Sequence, residues 1–562
     1  MTQPVPTVEH VFEPDDAQPE ETEPDAAGGG EAGAGASVAQ PWWRDGVVYQ
    51  VYVRSFADAS GDGIGDLNGI RKHLPYLASL GVDALWLTPF YVSPMADHGY
   101  DVADPVDVDP LFGTLADYDA LVSEAHALGL RVLNDIVPNH TSDQHRWFVE
   151  ALASTPGSAA RERYVFRDGS GPDGDEPPNN WLSTFGGPAW RRVTGPDGRP
   201  EQWYLHLFAP EQPDLNWRNP EVGDDAERTL RFWLDRGTDG FRIDVAHGLY
   251  KDPELRHNPV AEVSTNLIGN DTKYSWDQPE VHDVYRRWRN VFDSYDGDRV
   301  AIGEVWVGEP TGWAAYVRSD ELHLLFTFSL TLAPWSAEDW RTAVEAALAA
   351  VGDVGATATW VLGNHDVSRP VSRYGSTARA RAGLLTTLAL PGAYYLYQGD
   401  ELGLPDVDVP PEMRQDPMWQ RLGVGRDGCR APMPWDSREP HTGFSTVDPW
   451  LPEGPDWPAL AVDVQADDPM STLVLTHGAL AVRKAIPALG LGTGELVWHD
   501  APDGVLLFER PGSPAVVCAT NFGSTAIELS LPGRLLLASA PLTYDGETLR
   551  LPADAAAWIV PR

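Results

Sequence analysis

Three apolar runs in this chain end on ionisable side chains. In Gly240-Phe-Arg-Ile-Asp244, strand alternation sets Phe241 and Ile243 on one face and Arg242 and Asp244 on the other, so the two charges can interact directly. Ala301-Ile-Gly-Glu304 ends a second run on a carboxylate, and Thr359-Trp-Val-Leu-Gly-Asn-His-Asp366 ends a third on His365 and Asp366. Taken singly, an Arg–Asp pair at a strand end serves as readily for structure as for function. Recurrence at three strand tips, offering Asp, Glu and Asp, points to a catalytic constellation in which carboxyl groups divide nucleophile and acid–base work.

Strand, polar tip and helical stretch in succession are the rhythm of a parallel β/α barrel, whose sites lie at the C-terminal strand ends. Eight strands are expected: Val47 to Phe56, Ala84 to Thr88, Arg131 to Val137, Gly240 to Asp244, Ala301 to Val305, Leu322 to Phe328, Trp360 to Asn364, and Ala393 to Tyr397. The expected fold is α/β, a (β/α)8 TIM barrel with a loop-rich subdomain inserted after strand 3 and a C-terminal antiparallel β domain. Residues 1–40 are acidic, lack Lys and Arg, and run through Gly28-Gly-Gly30, which predicts a disordered tail. The barrel takes 41–140 and 214–488, and the Gly-, Pro- and Asp-rich stretch 141–213 is too long for an ordinary loop. A second insertion, from Asp400 to about Asp468, should also border the site. Alternating runs such as Val505-Leu-Leu-Phe-Glu and Ala515-Val-Val-Cys-Ala place the β domain at 489–562.

A net charge of -42 over 562 residues argues against nucleic acid or an anionic membrane surface as partner, and favours a small neutral substrate. The 22 Trp, 18 Tyr and 16 Phe supply aromatic faces suited to sugars, although most aromatics in a large protein are core. Cys429 and Cys518 are the only cysteines and read as free thiols in a reducing compartment. The first residues lack a basic region followed by an apolar core, and no apolar stretch approaches the length of a membrane span, so a cytoplasmic location is expected. The oligomeric state stays open.

Five short blocks, Asp135-Ile-Val-Pro-Asn-His140, Gln212-Pro-Asp-Leu-Asn216, Gly240 to Asp244, Gly303-Glu304-Val305 and Gly363-Asn-His-Asp366, stand in the order found in the α-amylase family of glycoside hydrolases (family 13). From about Trp42 onward the chain resembles that family, and within it the α-glucosidase and oligo-1,6-glucosidase group. The resemblance implies a retaining mechanism, in which two carboxyl groups about 5–5.5 Å apart flank the glycosidic bond. It makes Asp244 the nucleophile, Glu304 the general acid/base and Asp366 the third, sugar-binding carboxylate. Arg242 should hold Asp244 ionised, while Glu304, on another strand, can sit where its proton is retained. His140 and His365, in matching blocks, would hydrogen-bond the same glucosyl unit. Phe185 resembles a pocket-lining aromatic, with a core role nearly as natural. Asp97-His-Gly-Tyr-Asp101 resembles the segment whose Asp97 and Tyr100 close the far end of the pocket, and Arg430 matches the arginine that pairs with that Asp. A closed end implies exo-action on terminal glucose.

Asp58-Ala-Ser-Gly-Asp-Gly-Ile-Gly-Asp66 alternates aspartates with glycines, the pattern of a calcium loop, although a solvated acidic turn has the same composition. The resembled family often binds structural calcium here, through Asp58, Asp62, Asp66, the Ile64 carbonyl and an Asn that this chain replaces with Ser60. Val245, after the nucleophile, is associated in the resembled group with α-1,6 cleavage, whereas Ala246-His-Gly-Leu-Tyr-Lys-Asp252 looks closer to α-glucosidases acting on maltose-type substrates. The expectation is an exo-α-glucosidase of broad short-oligosaccharide range. The alternatives are a strict oligo-1,6-glucosidase, a trehalose synthase or sucrose isomerase, and, from another class, a non-catalytic carbohydrate-binding protein.

Overall fold

The structure, a computed structural model, describes residues 40–195, 198–259, 273–308, 310–490 and 494–562. The tail expected over 1–40 lies outside it up to residue 39. Eight parallel strands form one sheet: β1 (Val47–Val51), β2 (Ala84–Leu87), β3 (Arg131–Ile136), β4 (Gly240–Ile243), β5 (Val300–Gly303), β6 (Leu324–Leu325), β7 (Thr359–Val361) and β8 (Ala393–Tyr397). Their order, β6-β5-β4-β3-β2-β1-β8-β7, is closed into a barrel by a parallel bridge from Thr327 to Trp360. β1 stops at Val51, short of the expected Phe56, because side chains take the next amides: Tyr52 N–H donates to Gln398 (2.7 Å) and Val53 N–H to Thr88 (3.1 Å), and Val53–Ser55 turns as a 3-10 helix. β6 is likewise shorter than the expected Leu322 to Phe328, a run that ends on the closing bridge.

Both faces of these strands are covered, which is why they read as nearly continuous apolar runs. One alternation set, including Val48, Trp86, Leu133, Ile302, Val361 and Tyr395, fills the barrel interior. The other, including Tyr49, Leu85, Val132, Phe241 and Leu396, faces the helices outside. Register carries the inward set to the site: Leu133 pairs with Gly240, then Asp135 with Arg242, and Arg242 with Ile302. The apolar filling therefore gives way, at the C-terminal rim, to Asp135, Arg242, Asp244 and Glu304. Gly240 permits the closeness of β4 and β5, since a Cβ there would meet the Val300 carbonyl oxygen at 2.1 Å.

Between β3 and β4 the chain forms a three-stranded antiparallel sheet, with Phe166–Arg167 and Trp190–Thr194 flanking Pro200–Leu205. Trp190 of this sheet and Trp181, Phe185 and Phe208 of its connections are buried with Val245 and Trp276 of the loop after β4, so this wall packs directly beside the end of β4. Beyond the barrel helix Thr472–Ala485, the C-terminal segment forms five- and three-stranded antiparallel sheets. Cys429 and Cys518 are buried free thiols. Among the described residues, no helix is long and apolar enough to cross a membrane.

Candidate active site

One guanidinium organises the rim. Arg242, 1 % exposed, donates through Nη1 to Asp135 (2.9 Å) and Asp244 (2.7 Å), and its Nη2 lies 2.7 Å from Glu304 Oε2. Asp244 and Glu304 are thus held side by side at the two prongs of a single planar fork. Backbone geometry adds to this: Val245 adopts φ 45°, in the left-handed region costly for a β-branched residue, and so turns its N–H onto Glu304 Oε2 at 3.0 Å. Glu304 Oε1 accepts from the Trp306 indole at 2.9 Å.

A second guanidinium repeats the device. Arg426 reaches Asp97 (2.8 Å), Asp366 (3.0 Å) and Asp416 (2.8 Å), and its side chain lies over the Phe185 ring. Here the structure corrects the assignment of Arg430. Arg426 pairs with Asp97, whereas Arg430 sits behind the rim and donates to Asp366 (2.9 Å) and to the His365 carbonyl (2.7 Å). Both arginines lie on the 3-10 turn around Asp427–Arg430, and the residue four positions earlier carries the longer reach into the pocket.

The histidines stand neutral. Burial drives His365 well below the ordinary histidine value and His140 down to about 3. Gln50 donates to His365 Nδ1 at 2.7 Å, which leaves Nε2–H for the Tyr100 hydroxyl at 2.7 Å; that hydroxyl in turn donates to Asp135 at 2.9 Å. Tyr100 also stacks on His365, 5.3 Å between ring centres. His140 Nε2 lies 3.1 Å from the Tyr100 carbonyl, so the two histidine blocks meet through one tyrosine.

The carboxyls divide by surroundings. Burial opposes ionisation of Asp366, but the guanidiniums of Arg426 and Arg430 outweigh it and hold this carboxyl well below the usual range. Burial pushes Asp97 up to about 6 against the pull of Arg426, and Asp135 up to about 6 against that of Arg242. Asp244 is also raised, by burial first and by the neighbouring Glu304 and Asp135, with Arg242 opposing. One cation thus serves three carboxylates, and Arg242 opposes the upward push of burial and neighbouring charge on Asp244 without cancelling it, short of the full hold expected from its strand face. In all, Asp97, Asp135, Asp244, Glu304, Asp366 and Asp416 face Arg242, Arg426 and Arg430, an excess of negative charge suited to positive charge developing on a neutral ligand.

These groups surround a cavity of about 590 Å³, lined by Asp244, Glu304 and Asp366 together with Asp97, Tyr100, His140, Phe185 and His365. Arg242 and Arg430 stand beneath the lining. Sequence reasoning left unassigned Asp135, which opens the first of the five blocks, and Arg426, which lies in the second insertion. It also missed Trp306, Trp276 and Phe208 along the cavity wall, whose only signal was aromatic type. The 58–66 loop lies apart from the cavity. There Asp58 accepts from Gly61 and Gly63 amides and the Ser445 hydroxyl, Asp62 from the Ile64 amide, and Asp66 from Ala59, Ser60 and Gly69 amides. Among the described residues, no three His, Cys, Asp or Glu side chains gather as a metal would require.

Comparison with known proteins bears on this geometry. Residues 50–492 match the family description "Alpha amylase, catalytic domain". The chain is 43% identical over 523 residues to a probable alpha-glucosidase of Rhizobium meliloti (strain 1021), covering 88% of this chain and 92% of that one. It is 34% identical over 550 residues to the oligo-1,6-glucosidase of Parageobacillus thermoglucosidasius, covering 90% and 95% respectively. Among solved structures, the alpha-glucosyl transfer enzyme XgtA superposes with a TM-score of 0.85 at 40% identity, over 93% of this chain and 100% of its own.

Proposed function

Because the chain belongs to the α-amylase family of glycoside hydrolases, we propose that it is a retaining α-glucosidase releasing terminal glucose from short malto- and isomalto-oligosaccharides. The observation that carries the reading is the single Arg242 fork holding Asp244 and Glu304 together, which favours the close spacing of a retaining pair over the wider gap that admits water between two carboxyls. Asp244 attacks the anomeric carbon as Glu304 passes its proton to the departing oxygen, whose bond to carbon breaks. Glu304, now a carboxylate, takes a proton from water, which displaces Asp244 and restores both groups. Asp366, kept ionised by Arg426 and Arg430, accepts hydrogen bonds from sugar hydroxyls, while neutral His365, 3.4 Å from Asp366, and neutral His140 line the same cavity. The ion pair of Asp97 with Arg426, beside Phe185, supports a pocket end that binds a non-reducing terminal glucose.

A second reading, transfer of glucose to a sugar or other hydroxyl in place of water, is favoured by the similarity to a glucosyl transfer enzyme. Purified protein assayed on maltose, isomaltose, sucrose and trehalose with all products resolved, and Asp244→Asn as blank, separates these. Free glucose from the first two, lost in the variant, supports the hydrolase. Rearranged or lengthened sugars without free glucose would assign transfer, and no turnover of any substrate refutes both.

A structural calcium in the 58–66 loop is proposed with it. The donor set, three carboxylates, the Ser60 hydroxyl and the Ile64 carbonyl, has the chemistry of a hard-cation site, although in this structure Asp58 and Asp66 are engaged by amides. A cytoplasmic location, in keeping with two buried free thiols, would be overturned by recovery of the native protein from the medium or periplasm.

A further inference from the structure

Trp306 stands two residues beyond Glu304 and serves neither as ligand clamp nor as simple core. Its indole Nε1–H donates to Glu304 Oε1 at 2.9 Å. Its ring lies flat on Phe328, 3.7 Å between centres and 2° between planes. Phe328 packs on Phe326, which in turn meets Trp86 and Tyr395 of the barrel interior. The indole is thereby tied to the barrel interior while it also lines the cavity.

The two oxygens of Glu304 are treated differently. Oε2 receives both the Arg242 guanidinium (2.7 Å) and the Val245 amide (3.0 Å), which fills its in-plane acceptor positions. Oε1 receives only the indole. We infer that Trp306 is a positioning residue for proton donation: it sets the rotation of the Glu304 carboxyl so that the transferable proton is carried on Oε1 and directed at the departing oxygen. This rests on the reading of Glu304 as acid/base. In the first step the proton leaves Oε1 for the glycosidic oxygen, which keeps the electron pair of its broken bond to carbon, while Asp244 forms the new bond. The negative charge left on Oε1 then meets the indole N–H, and a hydrogen bond strengthens when its acceptor becomes ionised.

The consequence is a dependence on leaving group. Trp306→Phe keeps the stack on Phe328 and removes the N–H. Its kcat/KM on maltose, whose leaving sugar must be protonated, should fall about 10- to 100-fold, the scale of one hydrogen bond to a charged group. On 4-nitrophenyl α-glucoside, whose leaving group departs without a proton, it should fall less than about threefold, a difference that a merely structural role would not produce. Equal losses on both substrates, or none, would overturn the inference. Phe328→Leu keeps the N–H but frees the ring, and should give a smaller split in the same direction; should Trp306→Phe fail to fold, absence of a split here overturns the inference instead. Glu304→Gln separates the two levels. A leaving-group split in that variant without one in Trp306→Phe refutes the role of Trp306 alone, whereas no split in Glu304→Gln refutes the assignment of Glu304 itself.

Discussion

Arg242 and Arg426 each gather three carboxylates, and this sharing decides how the residues of the site depend on one another. Asp416 and Asp97 are almost fully buried, so removing their common partner leaves charge without compensation. Arg426→Ala should destabilise the fold by about 3–5 kcal/mol, read as a lowered melting midpoint. It should also lower kcat/KM on maltose by at least about a hundredfold, through loss of orientation at Asp366. Arg426→Lys restores charge but not the fork, and should recover stability more than activity. Unchanged kinetics in the alanine variant would remove Arg426 from the site. The type and order of the charged residues were legible from the blocks that carry them, and they singled out Asp244, Glu304 and Asp366, which the structure brings to one cavity. Which arginine meets which aspartate was not, because Arg426 and Arg430 lie four residues apart on one turn and only the path of that turn over the rim ranks them.

At the scale of elements, Asp66 has two offices that can be separated. It caps the helix Leu67–Leu80, accepting from Gly69 N–H at 2.7 Å, and it belongs to the proposed calcium loop. Loss of a cap costs about 1 kcal/mol, so Asp66→Ala should lower the melting midpoint with or without metal. Chelation of the unaltered protein should lower it further if calcium is bound, and a midpoint that ignores both chelator and added calcium leaves the loop as a hydrogen-bonded cap. The stretch after β4 is anchored similarly: Lys251 pairs with Asp214 at 2.7 Å and donates to Asn139 at 2.6 Å, joining the loop that follows Asp244 to two of the sequence blocks. All eight strands were readable from apolar runs bounded by polar tips. Their ends were not, since β1 and β6 stop where side chains and a closing bridge take over the backbone groups, and such partners are distant in sequence.

Over the whole molecule, burial keeps eight histidines neutral: His73, His145, His206 and His247 fall to about 4, His140 and His323 to about 3, and His98 and His365 well below their ordinary value. The unfolded chain protonates them near 6.5 and the folded chain does not, so their contribution is complete above that pH and is lost as pH falls. Carboxyls raised by burial act in the opposite sense: Asp97 and Asp135 at about 6, Asp400 at about 7, and also Asp45, Asp101, Asp143, Asp214, Asp244, Asp277 and Glu401. Replacing one buried histidine isolates its share: relative to the unaltered protein, His323→Gln should make stability fall less on acidification between about pH 7 and 5.5, by up to about 1.4 kcal/mol per pH unit. The measurement belongs at high salt, where repulsion among the exposed acidic groups is screened; the same pH dependence of the melting midpoint in both proteins would contradict it. What the sequence by itself determined is the family, the barrel and which three carboxylates stand at strand ends, because strand periodicity and short motifs are local properties in which neighbours in the chain remain neighbours in space. Only the tertiary structure decided that two guanidiniums serve six carboxylates, that Asp97 belongs to Arg426, and that Trp306 faces Glu304 from a stack on Phe328. Those relations join segments tens to hundreds of residues apart, and closure of the barrel is what sets their distances.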